Sequence, residues 1–320
     1  MPVESFAEFQ TKIQRLYHQG EYAEAYRLAN EIVARFPDQA PLVNYWRICM
    51  AARLGKHQQA LELLGQLIEN GFWYGETLLR KSPSLSSLQG DSLFEKLVER
   101  SLRQQQLDQQ QLYPLLTLRT QGGCQDDEHP CPLLIGLHAN GSNAQASIDF
   151  WKAAASAGWL VGVPQSSQAM WKDAYTWSDL EMARQEIEGH ISLLQRQYAA
   201  DQERLVFAGH SMGGELAIWL ALNGVFEARG FVALAPIGSY MDEPESWQPF
   251  VDNAAGRKLK GYLIYGEQDP SILPENLHAL ARMLFEADIP CEIDLLADAG
   301  HDYHPAYTAA LLRGIQYVIS

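Results

Sequence analysis

The sequence predicts an α/β protein in which a doubly wound, mostly parallel sheet is preceded by a small all-helical domain. Beyond residue 113, short apolar runs alternate with amphipathic stretches, as in a sheet covered by helices on both faces, whereas earlier residues show only the helical period. Charge divides at the same place: 12 Lys and Arg accompany 13 Asp and Glu up to residue 110, and 12 accompany 26 beyond it. We therefore expect domains at 1–105 and 113–320, joined by a glutamine-rich linker at 106–112.

Two segments of the helical region are similar at an offset of 35 residues, namely GEYAEAYRLANEIVARFP from Gly20 and GKHQQALELLGQLIENGF from Gly55. The aligned pairs are Gly20 with Gly55, Ala25 with Ala60, Leu28 with Leu63, and Ile32 with Leu67. The region resembles tetratricopeptide repeats, which implies helical hairpins and a surface for a protein partner or for self-association. Because two repeats rarely bury enough surface to stand alone, we expect one or two further helices around 91–103, or packing against the second half of the chain. A helical array without a ligand is the alternative.

Seven apolar runs are expected to form the strands of the sheet. They lie at 113–118, 132–138, 159–163, 204–209, 230–235, 260–265 and 291–296, with helical stretches such as 179–200 and 213–226 between most of them. The first two runs are separated only by a turn-like segment, QGGCQDDEHP. We therefore expect these two to form a hairpin that gives the sheet an antiparallel edge.

Composition excludes several classes of partner. The net charge of −15 argues against binding to nucleic acid or to anionic membrane surfaces. No apolar stretch is long enough for a membrane span, and Glu4 and Glu8 stand where an export signal would be positively charged or apolar, so we expect a cytoplasmic protein. The four cysteines contain no CxxC pair and are expected to be reduced thiols; they are Cys49, Cys124, Cys131 and Cys291.

The most informative segment contains Gly209-His210-Ser211-Met212-Gly213, which matches G-x-S-x-G. It follows an apolar strand and opens a helix, which is the setting that a nucleophile elbow requires. Glycine at both ends removes side chains that would collide with the neighbouring strand and helix. Ser211 is then presented at the carboxyl end of the sheet as a candidate nucleophile, and a turn without chemistry is the alternative.

A serine hydroxyl needs a base that is itself oriented by an acid, and in this topology the acid and then the base follow the serine along the chain. Asp269 follows the run at 260–265, and His301 follows the last run. Glu267 and Asp298 compete with Asp269 for the role of acid.

His304 competes with His301 for the role of base. The two histidines could also be metal ligands, but no Cys or third His lies beside them in the sequence. We therefore expect neither a metal nor a cofactor.

The negative charge of the transition state needs two main-chain amides. The elbow supplies one at Met212, and the other is expected from the loop that follows the run at 132–138. Residues 113–320 resemble an α/β-hydrolase, close to its small carboxylesterase and phospholipase type and its dienelactone-hydrolase-like branch. The matching pieces, in order, are LLIGLHANGSN, LVFAGHSMGG, LIYGEQDP and DAGHDYHP.

The resemblance implies Ser211 as nucleophile, His301 as base, Asp269 as orienting acid and Asn140 as the second oxyanion amide. This chain has His-Ala at 138–139 where members usually have His-Gly, and Ser where the dienelactone branch has Cys.

The substrate site is expected to be open, because only about 25 residues separate the strand ending at 235 from the one starting near 260, which leaves no room for a large lid. The candidate pocket residues are His138, Tyr175, Trp177 and His210. Packing within the domain is the alternative for the two aromatic residues, and packing or hydrogen bonding is the alternative for His210.

The sequence thus predicts a serine hydrolase that cleaves small carboxylic esters through an acyl-enzyme. The same groups also cleave thioesters and peptides. A scaffold whose repeats bind a partner, with a catalytically weak hydrolase half, is the alternative from another class.

Overall fold

The computed structural model describes residues 5–109, 114–120, 123–124 and 128–320, and the chain forms two compact units. The first comprises Met1–Leu112 and Ala169–Lys172, and the second comprises Tyr113–Gln168 and Asp173–Ser320. Within the described ranges, no helix has the length and apolar character needed to cross a membrane.

Up to residue 109, the described part of the first unit is helical, as the sequence predicts. They are α1 (Phe6–His18), α2 (Tyr22–Ile32), α3 (Ala40–Arg53), α4 (His57–Glu69), α5 (Glu76–Lys81) and α6 (Ser92–Gln109). Gly20 and Gly55 make the turns from α1 to α2 and from α3 to α4 with φ of 77° and 71°, a region that costs glycine little. Ala25 and Ala60 are fully buried, so α2 and α4 pack closely against their neighbours.

The buried stripe of α4 differs slightly from the predicted one. Leu64 and Ile68 are buried, whereas Leu63 and Leu67, which the alignment places opposite residues of α2, are only partly buried. A shift of one position rotates a helix face by about 100°. The resemblance to tetratricopeptide repeats stays a prediction.

Helix α6 extends further than the sequence suggests. Residues 106–109 of the predicted linker form its last turn, and residues 110–112 lie outside the described residues. The glutamines of this segment are good helix formers, so the helix propagates through them.

The described residues of the second part of the chain form nine strands. They are β1 (Leu115–Leu118), β2 (Cys131–Leu137), β3 (Leu160–Pro164), β4 (Ala169–Trp171), β5 (Ala174–Tyr175), β6 (Ala200–His210), β7 (Ala228–Leu234), β8 (Lys260–Gly266) and β9 (Cys291–Leu296). Seven of them form one sheet in the order β1-β3-β2-β6-β7-β8-β9, which is parallel except for β1 with β3. The predicted mostly parallel α/β sheet is confirmed.

Helices cover this sheet. They are α7 (Ala144–Ser156), α8 (Leu180–Gln197), α9 (Met212–Leu222), α10 (Ser239–Asp242), α11 (Gln248–Ala254), α12 (Pro274–Glu286) and α13 (Pro305–Ile319). Helix α9 is buried on every side from Gly213 to Leu222, which explains why its sequence lacks the usual polar face. It packs on β6 and β7 and thus fixes the position of the elbow from which it starts.

The antiparallel edge exists, but the predicted hairpin is wrong. Strand β1 pairs with β3, and β2 lies on the other side of β3. The crossover through α7 brings β3 beside β2 and leaves the outer edge of β3 free for β1.

Cys124 and Cys131 form a disulfide, which corrects the expectation that all four cysteines are thiols. The main chain brings them together, because the Ala199 amide donates to the Cys124 oxygen at 3.0 Å and the Cys131 amide donates to the Ala199 oxygen at 2.9 Å. Their Cα atoms are 5.2 Å apart, a separation that a disulfide spans without distortion. Cys49 and Cys291 are free.

Candidate active site

The turn between β6 and α9 holds Ser211 in a conformation that L residues rarely adopt, with φ of 59°. Such a backbone costs about 1–3 kcal/mol, which the surrounding structure must offset. A Cβ on Gly209 would lie 2.0 Å from the Gly213 oxygen, and a Cβ on Gly213 would lie 2.5 Å from the His138 oxygen. Both positions therefore require glycine, because any side chain there would collide with neighbouring main-chain atoms, as the sequence predicts.

The structure brings Ser211, His301 and Asp269 together at the carboxyl ends of β6, β9 and β8. The distance from Ser211 Oγ to His301 Nε2 is 3.0 Å, and the distance from His301 Nδ1 to Asp269 Oδ2 is 2.7 Å. The second oxygen of Asp269 accepts the Ser271 amide at 2.9 Å. All three side chains thus form one hydrogen-bonded series.

The loops after β8 and β9 are held against each other by main-chain contacts. The Gln268 amide donates to the Ala299 oxygen at 2.9 Å, and a Cβ on Gly266 would lie only 2.1 Å from that oxygen. Glycine at the end of β8 therefore permits the close approach that places Asp269 beside His301.

The surroundings keep Asp269 ionised. Burial by itself raises the pKa of this carboxyl group, but the hydrogen bond and attraction from His301, with the Ser271 hydrogen bonds, bring the pKa below its usual value. The carboxylate accepts from Nδ1–H of His301, so Nε2 keeps its lone pair toward the Ser211 hydroxyl. This arrangement can remove the proton of Ser211 as the oxygen attacks a carbonyl carbon.

The competing residues make other contacts. Asp298 accepts from Gln268 Nε2 at 3.2 Å, and His304 accepts from the Ala306 amide at the start of α13. Over the described ranges, no three His, Cys, Asp or Glu residues are grouped as metal ligands would be.

His210 connects the elbow to the loop that carries His301. Its Nε2–H donates to the main-chain oxygen of His301 at 2.6 Å, and its ring lies 4.4 Å from the ring of Tyr303. Burial lowers the pKa of His210 to about 4, so the ring is neutral near pH 7. The neutral ring thus ties the elbow to the loop that carries His301.

The loop after β2, which contains Asn140, is braced by β5 and by the segment that follows it. The Gly141 amide donates to the Tyr175 oxygen at 2.8 Å, and the Tyr175 amide donates to the Ser142 oxygen at 3.0 Å. Trp177 Nε1–H donates to the His138 oxygen at 2.9 Å.

The chain takes its left-handed conformation in this loop at Gly141, with φ of 72°. Alanine at 139, where the resemblance implies glycine, is therefore compatible with the loop, since it does not need a positive φ. The loop also adjoins the elbow, because Gly213 approaches the His138 oxygen.

The four predicted pocket residues are buried, with 0–3% of their surface exposed: His138, Tyr175, Trp177 and His210. His138 Nδ1–H donates to the Ala139 oxygen at 2.9 Å, and burial lowers the pKa of His138 to about 4. The indole of Trp177 lies 4.7 Å from the His138 ring. These side chains contact other protein groups, and their assignment to a substrate pocket stays a prediction.

Glu215 is a residue that the sequence analysis missed. It lies in α9 with 4% of its surface exposed, and its carboxyl oxygen accepts the Tyr240 and Met241 amides, both at 2.9 Å. Burial raises the pKa of Glu215 to about 7, although the two amides oppose this shift. It ties the loop after β7 to the elbow, where the Ile237 amide also donates to the Ser211 oxygen at 3.3 Å. The only signal in the sequence is one acidic residue in the apolar helix ELAIWLAL.

Comparison with protein-family models gives two matches. The model of the dienelactone hydrolase family matches residues 158–317, half of the chain. The model of the A/B hydrolase-like N-terminal domain matches residues 6–109. A search of the curated proteins gives no match.

Several solved structures are similar to this chain. An uncharacterized protein from Bacillus cereus is 20% identical with a TM-score of 0.54, over 98% of this chain and 99% of that chain. SOBER1 of Arabidopsis thaliana is 14% identical with a TM-score of 0.49, over 59% of this chain and 99% of that chain. An S-formylglutathione hydrolase from Agrobacterium tumefaciens is 16% identical with a TM-score of 0.47, over 60% of this chain and 86% of that chain.

Proposed function

The chain belongs to the dienelactone hydrolase family, and from this premise we propose that it is a serine hydrolase that cleaves small carboxylic esters through an acyl-enzyme. The observation that carries the proposal is the hydrogen-bonded series from Ser211 Oγ through His301 to Asp269. Each member stands at the end of a different strand of one sheet, where parallel strands present functional side chains together.

In the acylation step, Ser211 Oγ attacks the carbonyl carbon of the ester while His301 Nε2 takes the hydroxyl proton. A C–O bond forms to the serine, and the carbonyl oxygen becomes an oxyanion. The amides of Met212 and Asn140 are proposed to donate to it. One such donor contributes about 3–4 kcal/mol to transition-state stabilisation. Collapse of this intermediate breaks the bond to the alcohol, which leaves with the proton held on Nε2.

In the deacylation step, His301 takes a proton from water as the water oxygen attacks the acyl-enzyme. The bond from the acyl carbon to Ser211 Oγ breaks, the serine recovers its proton from Nε2, and the carboxylic acid is released. Asp269 stays ionised throughout and stabilises the imidazolium formed in each step.

The test uses the full chain with a fluorophosphonate probe and p-nitrophenyl esters of several acyl lengths. We expect wild type and Ser156→Ala, in which an exposed serine is changed, to be labelled and to hydrolyse the esters, and Ser211→Ala to do neither. Equal labelling and turnover of wild type and Ser211→Ala would refute the proposal. Matched thioester and peptide anilide substrates measure the preference for esters.

The cytoplasmic location stays a prediction, and the disulfide between Cys124 and Cys131 argues against it. Disulfides persist in oxidising compartments and are rare in the reducing cytosol. Fractionation of the producing cells with activity staining measures the location directly.

A further inference from the structure

The helical unit contains a cavity of about 240 Å³ between α1, α3 and the residues that follow α5. Its wall is largely apolar and aromatic and includes Ile13, Tyr45, Trp46 and Met50. A dry apolar cavity of about 150 Å³ is large enough to bind benzene. The space here therefore suits one ring or a short aliphatic chain with a small polar group.

A pair of hydroxyl groups forms the polar end of this cavity. Tyr17 and Ser84 both line it, and the Tyr17 hydroxyl lies 2.6 Å from Ser84 Oγ. Arg53 donates to both, with Nη2 at 3.3 Å from the Tyr17 oxygen and Nε at 3.4 Å from Ser84 Oγ. Ser84 is buried, with 5% of its surface exposed.

The count of protons at this end favours a ligand that accepts a hydrogen bond. The two hydroxyls carry two protons, and the bond between Tyr17 and Ser84 uses one of them. Arg53 can only donate hydrogen bonds, so it accepts neither hydroxyl proton. The remaining proton has the Cys49 sulfur as its partner, through a hydrogen bond between Ser84 and Cys49, and sulfur is a weak acceptor. An oxygen acceptor from a ligand would take its place.

The charge at this end favours an anion. Among the described residues that line the cavity there is no Asp or Glu, and Arg53, which is exposed, makes no ion pair with a carboxylate of the described residues. The Arg53 guanidinium lies 5.8 Å from the centre of the Tyr22 ring, which helps to fix its position. A negative oxygen at the hydroxyl pair would balance this charge.

We propose that the cavity binds a small monocarboxylate with an aromatic or short aliphatic tail. The tail lies between Trp46, Tyr45 and Met50, and the carboxylate replaces the Cys49 sulfur as acceptor of the second proton of the Tyr17 and Ser84 pair. The site is separate from Ser211, and its existence does not depend on the proposed hydrolase activity.

The first experiment titrates the full chain with phenylacetate by calorimetry and compares phenylacetamide and acetate. Phenylacetate should bind at least about tenfold more tightly than either, since the amide lacks the charge and acetate lacks the tail. Part of the tryptophan fluorescence should change on binding, and Trp46→Phe should lose that part. Equal affinity for phenylacetate and phenylacetamide, or no detectable phenylacetate binding, would overturn the proposal.

The second experiment separates this site from the hydrolase site, where a carboxylate product could also bind. The double variant Tyr17→Phe, Ser84→Ala should lose at least about tenfold in phenylacetate affinity while its ester hydrolysis stays as in wild type. Ser86→Ala, an exposed serine in the same turn, is the matched control. The site would be excluded if the double variant unfolded at the wild-type temperature and still bound phenylacetate with unchanged affinity. If Ser211→Ala alone lost phenylacetate binding, the ligand would be assigned to the hydrolase site. The proposed site in the helical unit would then be excluded.

Discussion

His210 Nε2–H donates a 2.6 Å hydrogen bond to the main-chain oxygen of His301, so the residue before the candidate nucleophile holds the loop of the candidate base. One side chain thereby couples the two loops whose spacing sets the 3.0 Å contact between Ser211 Oγ and His301 Nε2. Because the bond ends on a main-chain atom, it fixes the position of the loop and leaves both nitrogens of the His301 ring available.

His210→Phe should keep the ring contact with Tyr303 and lose the donor. We expect kcat for a p-nitrophenyl ester to fall about tenfold, which corresponds to about 1.4 kcal/mol, with little change in KM. His210→Gln can place an N–H near the position of Nε2 and should recover most of the rate. Equal losses in the two variants would show that the hydrogen bond does not position His301.

Asp269→Asn should leave the fold intact and lower kcat by about 10³–10⁴, because an amide favours the wrong tautomer of His301. Asp298→Asn is the matched control, since Asp298 lies in the neighbouring loop and contacts Gln268 instead. Steady-state kinetics with circular dichroism measures both effects. If Asp298→Asn produced the larger loss, the acid role would belong to Asp298.

Glu215 should make stability fall as the pH rises. With its pKa raised to about 7, mainly by burial, the folded state keeps a proton that the unfolded chain releases near the ordinary value of 4.5. Its contribution is therefore fully present below about pH 4.5 and is lost as the pH rises through about 7, by at most about 3 kcal/mol.

Glu215→Gln keeps an acceptor for the Tyr240 and Met241 amides without a titrating charge, so this loss should disappear. Urea unfolding at pH 5 and pH 8 measures the free energy of unfolding, and Glu275→Gln changes an exposed glutamate as a control. The same pH dependence in wild type and Glu215→Gln would contradict the prediction.

Asn140→Pro removes the main-chain amide proposed to donate to the oxyanion, whereas Asn140→Ala keeps it. The proline variant should lose about 10²–10³ in kcat, and the alanine variant should stay close to wild type because the Asn140 side chain is exposed. Thermal unfolding checks that both variants fold. Full activity in a folded Asn140→Pro protein would exclude this amide from the oxyanion site.

Reduction of the Cys124–Cys131 disulfide should destabilise the second unit. Closing a loop with a sequence separation of 7 restricts the unfolded chain by about 2.5 kcal/mol in the chain-entropy account. The free energy of unfolding should fall by about this amount in dithiothreitol, and the double variant Cys124→Ser, Cys131→Ser should not respond. Titration of free thiols in denatured, unreduced protein should give two, from Cys49 and Cys291. A count of four free thiols would contradict the disulfide.

Features that depend on consecutive residues could be predicted from the sequence. The strands and helices follow from apolar period, and the glycines around Ser211 follow from the steric limits of a sharp turn. The positions of Asp269 and His301 after two strands of a parallel sheet were enough to predict that they meet. Their catalytic roles stay a proposal.

Features that depend on distant segments could not be predicted. The bracing of the Asn140 loop by Tyr175 and Trp177 requires the exact placement of the chain after β5. The Cys124–Cys131 bond depends on both residues pairing with Ala199, about seventy residues away in sequence. Neither contact leaves a periodic or local pattern.

By itself, the sequence determined the α/β class, the sharp turn at Ser211 and the order in which three reactive side chains reach one edge of the sheet. Only the tertiary structure decided that β1 pairs with β3, that His210 holds the His301 loop and that Glu215 is buried against the start of α10. The physical reason is that backbone sterics and hydrophobic period act between near neighbours along the chain. Strand register and the partner of a buried polar group are fixed only when remote segments pack together.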